Sequence, residues 1–559
     1  MKKTITIIAA MLIISLNTFS QAPNWAWATS QYGSNNDYGT YVATDAAGDV
    51  YEAGYFYSAT LHCGSIMLAN DSSGSSDMFI AKYNPSGTVI WAKSAGGTKN
   101  EVATSIAVDP SGYVYVTGYF QSDSITFGSV TLHNDTTNAS DNIFLVKYDP
   151  NGNVIWAKSA SGIGNYNFPY SVTTDASGKV YLAGEFDSPF IIFGPDTLEN
   201  ISIHWADVFL TKYDSSGNVI WVKNYGGSFS SSIGTAVNTD ATGNVYLGGA
   251  FGCNTITIGT TTLSNGFNNG YYNIFLAKFD SAGNVLWAKS AGGPNGAGFI
   301  NSASTDASGN TYVTGYFNST DMTFGNDTIT NNGTGNTFLA KYDSSGNVIW
   351  AKDAGGISDD EANSVAADNF GNVYIAGYFS SLFVIFGPDT LTNPDTLYRI
   401  FLAKYDTSGN VLWGKTSVGT SYDNASWVTT DNLGDVYLTG AFEGNAMNFG
   451  MITLLNLSPT TYDAFLAKID VITGIEEYSQ NNNGISVYPN PASSAITFKD
   501  LRFTIYDLRI TDVLGNVVYS QPNINQQSTI INLSQLSKGV YFYQLSNSKE
   551  TVRGKFVKE

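Results

Sequence analysis

Carboxylates are the residues of this chain best suited to chemistry, and they recur at fixed spacing. Asp-x-x-Gly occurs at Asp45, Asp109, Asp175, Asp240, Asp306, Asp368 and Asp431, and again at Asp149, Asp214, Asp280, Asp343 and Asp406. The spacing resembles part of a calcium loop, but the alternating acids and distal glutamate of such a loop are missing. An aspartate that bonds its own backbone, followed by a glycine at positive φ, makes a hairpin turn, and that reading suits a phrase repeated this often. Eight residues before each first-turn aspartate stand Asp37, Glu101, Asn167, Ser232, Gly298, Asp360 and Asp423. The carboxylates Asp37, Glu101, Asp360 and Asp423 are ligand-binding candidates. They would form an acidic arc able to attract a cationic peptide or sugar. Asp359, Asp360 and Glu361 could instead make a local site, or the acids could satisfy loop amides.

A second candidate set is aromatic: Tyr166, Phe168, Tyr170, His204, Trp205, Tyr271 and Tyr272. Tyr170, Trp205, Tyr271 and Tyr272 are the ligand-binding candidates among them, because exposed rings stack on sugars or anchor a partner protein. The competing reading is packing beneath loops. No catalytic residue is assigned: the only histidines are His62, His133 and His204, and no motif unites a nucleophile, a base and an orienting group. A glycosidase pair among the many acids stays open, since carboxylate separation is not readable from sequence. No metal ligand set is assigned and the cofactor is left open; calcium is conceivable, but no motif indicates it.

The elements that must hold these residues come from a repeat. Trp91, Trp156, Trp221, Trp287, Trp350 and Trp413 each sit in a copy of Gly346-Asn347-Val348-Ile349-Trp350-Ala351-Lys352, and Trp27 in a truncated copy. Successive tryptophans are 64, 65, 65, 66, 63 and 63 residues apart, the mark of a repeat architecture. One unit reads as four strands: Ser105–Val108, Val114–Phe120, Ile143–Tyr148 and Val154–Lys158, with an insert hairpin between the second and third. The strands do not alternate cleanly between apolar and polar, which predicts sheets covered on both faces. Small four-stranded sheets stacked around an axis meet that condition, which is a β-propeller.

The second-strand glycine recurs seven times, from Gly54 to Gly440, and so does the third-strand lysine, from Lys82 to Lys468. The last unit stops without its tryptophan strand, so Trp25-Ala26-Trp27-Ala28-Thr29 is predicted to complete the seventh blade and close the ring. On that expectation blades six, seven, one and two bring the four acids together, and the variable inserts share one face. Trp27→Ala, as a large buried truncation, is expected to cost about 3 to 5 kcal/mol. The phrases Phe338-Leu339-Ala340-Lys341-Tyr342-Asp343 and Asp306-Ala307-Ser308-Gly309-Asn310 resemble the SBBP family of bacterial β-propeller repeats over about residues 24 to 472. That resemblance implies a fold, not a reaction.

Formal charge is -20 and the sequence pI about 4.4, so the molecule repels phosphate backbones, and nucleic acid is not expected as a partner. Cys63 and Cys253 are the only cysteines, which excludes a disulfide framework. Lys2 and Lys3 before the apolar run Ile5 to Leu16 read as a signal peptide over residues 1–20. No later stretch is long enough to span a bilayer.

After a polar linker over residues 473–484, residues 485–559 offer short strands of a small β-sandwich. Tyr488-Pro489-Asn490-Pro491, Asp512-Val513-Leu514-Gly515, Leu536-Ser537-Lys538-Gly539-Val540-Tyr541 and Lys555-Phe556-Val557-Lys558 carry a resemblance to the type IX secretion system sorting domain. It implies recognition by that machinery and export to the cell surface or the medium. The expected molecule is all-β: a seven-bladed β-propeller closed by its N-terminal strand, residues 24–472, then the sandwich. Its expected work is binding or adhesion to an extracellular glycan or protein through one face. A carbohydrate-active enzyme and a structural surface-layer component are the alternatives.

Overall fold

The computed structural model describes residues 22–470 except 135–140, 164–165, 203, 267–270 and 388, and in the C-terminal part 486–489, 492–499, 506–512, 517–524, 528–546 and 551–558. The expected signal peptide and linker, and Asn490, Pro491 and Gly515 of the sorting motifs, lie outside the described residues. All regular structure described is β-strand, and the chain falls into two compact units, Met1–Val471 and Ile472–Glu559.

In the first unit seven antiparallel sheets share one four-strand plan. The first sheet runs Asp37–Thr44, Val50–Phe56, Asp77–Tyr83 and Val89–Ala95. The seventh takes Asp423–Thr430, Val436–Phe442 and Asp463–Ile469 from its own stretch and Trp25–Tyr32 as its fourth strand, with Trp27 opposite Lys468 and Gln31 opposite Ala464. The first strands of all seven sheets line a central cavity of about 410 Å³.

The repeated residues are explained by contacts within and between sheets. In the first hairpin, Asp109 Oδ1 accepts from the Ser111 and Tyr113 amides, Gly112 takes φ 81°, and Tyr115 donates to Asp109 Oδ2. Lys147 stands over the Tyr115 ring, a cation–π contact. The tryptophans join neighbouring sheets: the Trp91 indole donates to the Pro150 carbonyl in the next sheet's turn, at 3.1 Å. Gly152 in that turn has φ 80°, and a Cβ there would lie 2.9 Å from the indole, so the phrase needs both its glycine and its tryptophan.

Insert hairpins reach the preceding sheet, as Phe190–Phe193 does in pairing with Val154–Gly162. The first and seventh sheets touch through polar groups as well as rings. Thr439 donates to Glu52 at 2.6 Å, Thr44 donates to the Thr430 carbonyl at 3.2 Å, and the Tyr41 and Trp427 rings are 4.0 Å apart.

Two expectations need correction. The first strand of a unit begins four residues earlier than read, at Glu101 instead of Ser105. A bulge between Ala103 and Ser105 breaks the pattern there. Trp27 is only half-buried, so its truncation loses less than a fully enclosed ring would; the buried tryptophan of that strand is Trp25.

The C-terminal unit has two antiparallel sheets, one of Ser486–Tyr488, Ala495–Lys499 and Ser528–Asn532, the other of Tyr506–Thr511, Val517–Ile524, Gly539–Ser546 and Thr551–Lys558. Ile496, Phe498, Leu508, Ile510, Tyr543 and Phe556 bury a common core, as sandwich packing requires. Phe556 is in that core while Lys555 faces out.

Candidate functional site

Pairing register sets which residues meet at each end of the sheets. Asp37 lies opposite Phe56, and Phe56 opposite Asp77. The start of the first strand, the end of the second, the start of the third and the insert therefore share one end, and the Asp-x-x-Gly turns take the other. The next residue of the first strand and the tyrosine after the second-strand glycine are direct cross-strand partners, as Tyr38 and Tyr55 or Phe299 and Tyr316 are. This places aromatic rings at the insert end of the first, second, third, fifth and sixth sheets; in the fourth, Tyr271 and Tyr272 before the third strand take that place, and in the seventh Tyr422 and Tyr462 do.

The rings touch one another within sheets and across sheet boundaries, some face to face and some edge to face. Tyr38 lies 5.4 Å from Tyr462 and 5.0 Å from Tyr55; Tyr119 lies 5.1 Å from Phe168; Tyr272 lies 5.0 Å from Phe299; Tyr398 lies 4.6 Å from Tyr378 and 5.4 Å from Tyr422. Tyr166, Tyr271, Tyr398 and Tyr422 are exposed and the others half-buried, so this mouth offers part of its ring surface to solvent.

Its floor is crossed by Tyr41. Tyr41 donates to the Tyr170 carbonyl two sheets away, at 3.0 Å, and lies against Trp427. Around the rings stand Glu185, Asp187, Asp359, Glu361 and Glu443. Glu185 accepts from Tyr170, and Glu361 accepts from Tyr378 and Asn301, each at 2.8 Å. Burial pushes Glu185 up to about 7 and raises Glu361.

The four predicted acids are not part of the solvent-facing mouth. Asp37, Glu101, Asp360 and Asp423 are all buried, because each opens a first strand with its side chain turned between strands and link. Asp37 accepts from the Ser58 hydroxyl at 2.8 Å, and Glu101 from the Ser122 amide. Asp360 accepts from the Gly356 amide and Ser381 hydroxyl, both at 2.7 Å, and Asp423 pairs with Arg399 at 3.4 Å. These are ties between strand and loop, and they correct the expectation of an accessible acidic arc. Burial raises Asp37 to about 8, Glu101 and Asp423 to about 7, and Asp360 in the same direction.

Of the predicted aromatics, Tyr170 and Tyr272 lie in the mouth, Tyr272 through its contact with Phe299. Tyr271 adjoins it, exposed, and Trp205 is exposed at the end of the third sheet's insert. Tyr38, Tyr55, Tyr119, Phe299, Tyr316, Tyr378, Tyr398, Tyr422 and Tyr462 were missed. The tyrosine of each Gly-Tyr-Phe phrase reads as core in sequence; only its register beside the next sheet reveals a ring that is half-buried.

Residues 486–559 match the family described as a secretion system C-terminal sorting domain, and residues 90–122 and 349–380 match a β-propeller repeat. The chain is similar to a WD repeat-containing protein of Acanthamoeba polyphaga mimivirus, 26% identical over 538 residues, with 79% of this chain and 38% of that protein covered. It is also similar to the regulatory protein FlaEY of Caulobacter vibrioides, 27% identical over 432 residues, covering 76% of this chain and 38% of FlaEY. The chain thus spans less than two fifths of the length of these relatives. Among solved structures, Sqt1 from Chaetomium thermophilum aligns over 75% of this chain and 97% of its own, at 8% identity and a TM-score of 0.39. No helix of the described residues is long and apolar enough to cross a membrane.

Proposed function

We infer that this β-propeller repeat protein, with its secretion-system sorting domain, is an exported binding scaffold whose ligand surface is the aromatic mouth. The seven sheets are read as blades of one propeller, closed by Trp25–Tyr32 as fourth strand of the last blade. The strand's register against Asp463–Ile469 and the contacts between first and seventh sheets support this. Residues 1–20 are read as the signal peptide, 24–472 as the propeller and 485–559 as the part handled by the secretion machinery, which the match over residues 486–559 supports. The surface is that of the cell or the medium, as a sorting domain implies.

The observation that carries the binding role is the convergence of partly exposed rings from all seven sheets on a mouth whose floor Tyr41 crosses. Buried rings add to stability, whereas rings left with one face in water serve recognition better than packing. A glycan array probed with the wild-type protein and with a Tyr166→Ala, Tyr398→Ala, Tyr422→Ala triple variant tests this. Wild type should bind and the triple variant should lose at least tenfold while still unfolding in one cooperative transition, its melting temperature lowered only modestly because these rings are partly exposed. An array on which wild type binds nothing, or equal binding by both proteins, would defeat the reading.

A further inference from the structure

We propose that the mouth takes an oligosaccharide bearing free amino groups, with tyrosine faces receiving sugar rings and ammonium groups and the surrounding carboxylates supplying the counter-charge. This rests on the mouth being the ligand surface and names the ligand class. Three features carry it.

The first is charge. Glu185 and Asp187 on the third sheet, Asp359 and Glu361 where the fifth sheet hands over to the sixth, and Glu443 on the seventh surround the rings with one sign. Among the described residues at this end, Arg399 is spent on Asp395 and Asp423, and Lys99 faces Asp123. The third-strand lysines lie at the other end, over second-strand tyrosines. A cation meeting tyrosine faces gains cation–π attraction in addition to the pairing of charges.

The second is shape. Tyr41 reaches the Tyr170 carbonyl two sheets away and its ring lies 4.0 Å from that of Trp427 on the seventh sheet, so residues of three sheets meet beneath the rings. Rings of neighbouring sheets lie 5.0 to 5.4 Å apart, a run of faces that suits a chain of sugar rings lying across it better than one inserted side chain.

The third is the state of the backbone. A basic peptide would add as a strand only where a sheet edge has free groups. Here bulged residues of the first strands reach the neighbouring carbonyls, with Thr40 donating to Ala103, Asn301 to Ala362 and Asn363 to Ala425, at 2.9, 3.0 and 2.8 Å. Recognition is therefore left to side chains.

Calorimetric titration of the full chain at low salt, with a glucosamine hexamer, its fully N-acetylated counterpart and hexalysine, tests the proposal. The glucosamine hexamer should bind at least tenfold more tightly than either of the others. Asp359→Asn, at an exposed rim position, and Glu361→Gln should each weaken the glucosamine hexamer by at least threefold and leave the acetylated hexamer unchanged, while melting stays at the wild-type temperature for Asp359→Asn. Equal affinity for the acetylated hexamer overturns the amine requirement and leaves the mouth a neutral glycan site. Equal or tighter binding of hexalysine also overturns it, in favour of a peptide. If none of the three binds, this proposal falls, and the array with the triple tyrosine variant decides separately whether the mouth binds at all.

Discussion

Asp360 shows what the recurrent acids do for this molecule. Its carboxylate accepts from the amides of Gly356, Ser380 and Ser381 and from the Ser381 hydroxyl, inside the protein. Asp360→Ala strands those donors, and a loss of about 3 kcal/mol in urea unfolding is expected from buried groups left without an acceptor. Ligand affinity should not change.

Titration follows the same burial. Asp37 and Glu52 are raised to about 8, and Glu101, Glu185, Asp423 and Asp463 to about 7, chiefly by desolvation. Each binds its proton more tightly folded than unfolded. The stability they contribute is therefore complete below the ordinary carboxylate range and is lost as pH rises through 7 to 8. Asp240 runs oppositely: hydrogen bonds from Thr242, Asn244 and Lys278 outweigh its desolvation and hold it at about 2, so its contribution is lost as pH falls from about 4 towards 2. The melting temperature should peak near pH 5 and decline by pH 8.5; a flat or rising profile across that interval would contradict the burial assigned here. The spacing of these acids was legible in sequence. Their direction was not, because the bulge hides where the strand begins and a one-residue shift exchanges inside for outside.

Among elements, the strand Trp25–Tyr32 carries a testable asymmetry. Trp25 is buried with its ring 4.6 Å from Phe449, while Trp27 is half-buried, donating to the Pro85 carbonyl at 3.0 Å. Trp25→Ala should cost about 3 to 5 kcal/mol and Trp27→Ala about 2. Unfolding measurements that put Trp27→Ala above Trp25→Ala would refute this placement. The tryptophan period revealed the repeat, since each indole from Trp27 to Trp350 must meet a glycine turn of the following sheet. At the seam, Trp413 shares its core cluster with Trp25 of the N-terminal strand. The period pointed to this strand, since the last unit lacked its tryptophan, but it took Trp27 for the buried ring where burial falls on Trp25.

For the whole molecule, strand type, insert hairpins and Asp-x-x-Gly turns could be read from local patterns, because each is decided by residues a few positions apart. The mouth could not. Tyr38 and Tyr462 are far apart in sequence and 5.4 Å apart in space, and only the stacking of sheets makes a surface of them. That surface exists only if Trp25–Tyr32 holds the first and last sheets together. Hydrogen exchange on the full chain measures this directly. The amides of residues 27–31 should exchange as slowly as those of residues 155–159 in the equivalent strand of the second sheet, since both are bonded to a buried third strand. Exchange of residues 27–31 at the rate of a free chain, with residues 155–159 protected, would contradict the closure and the ligand surface built on it.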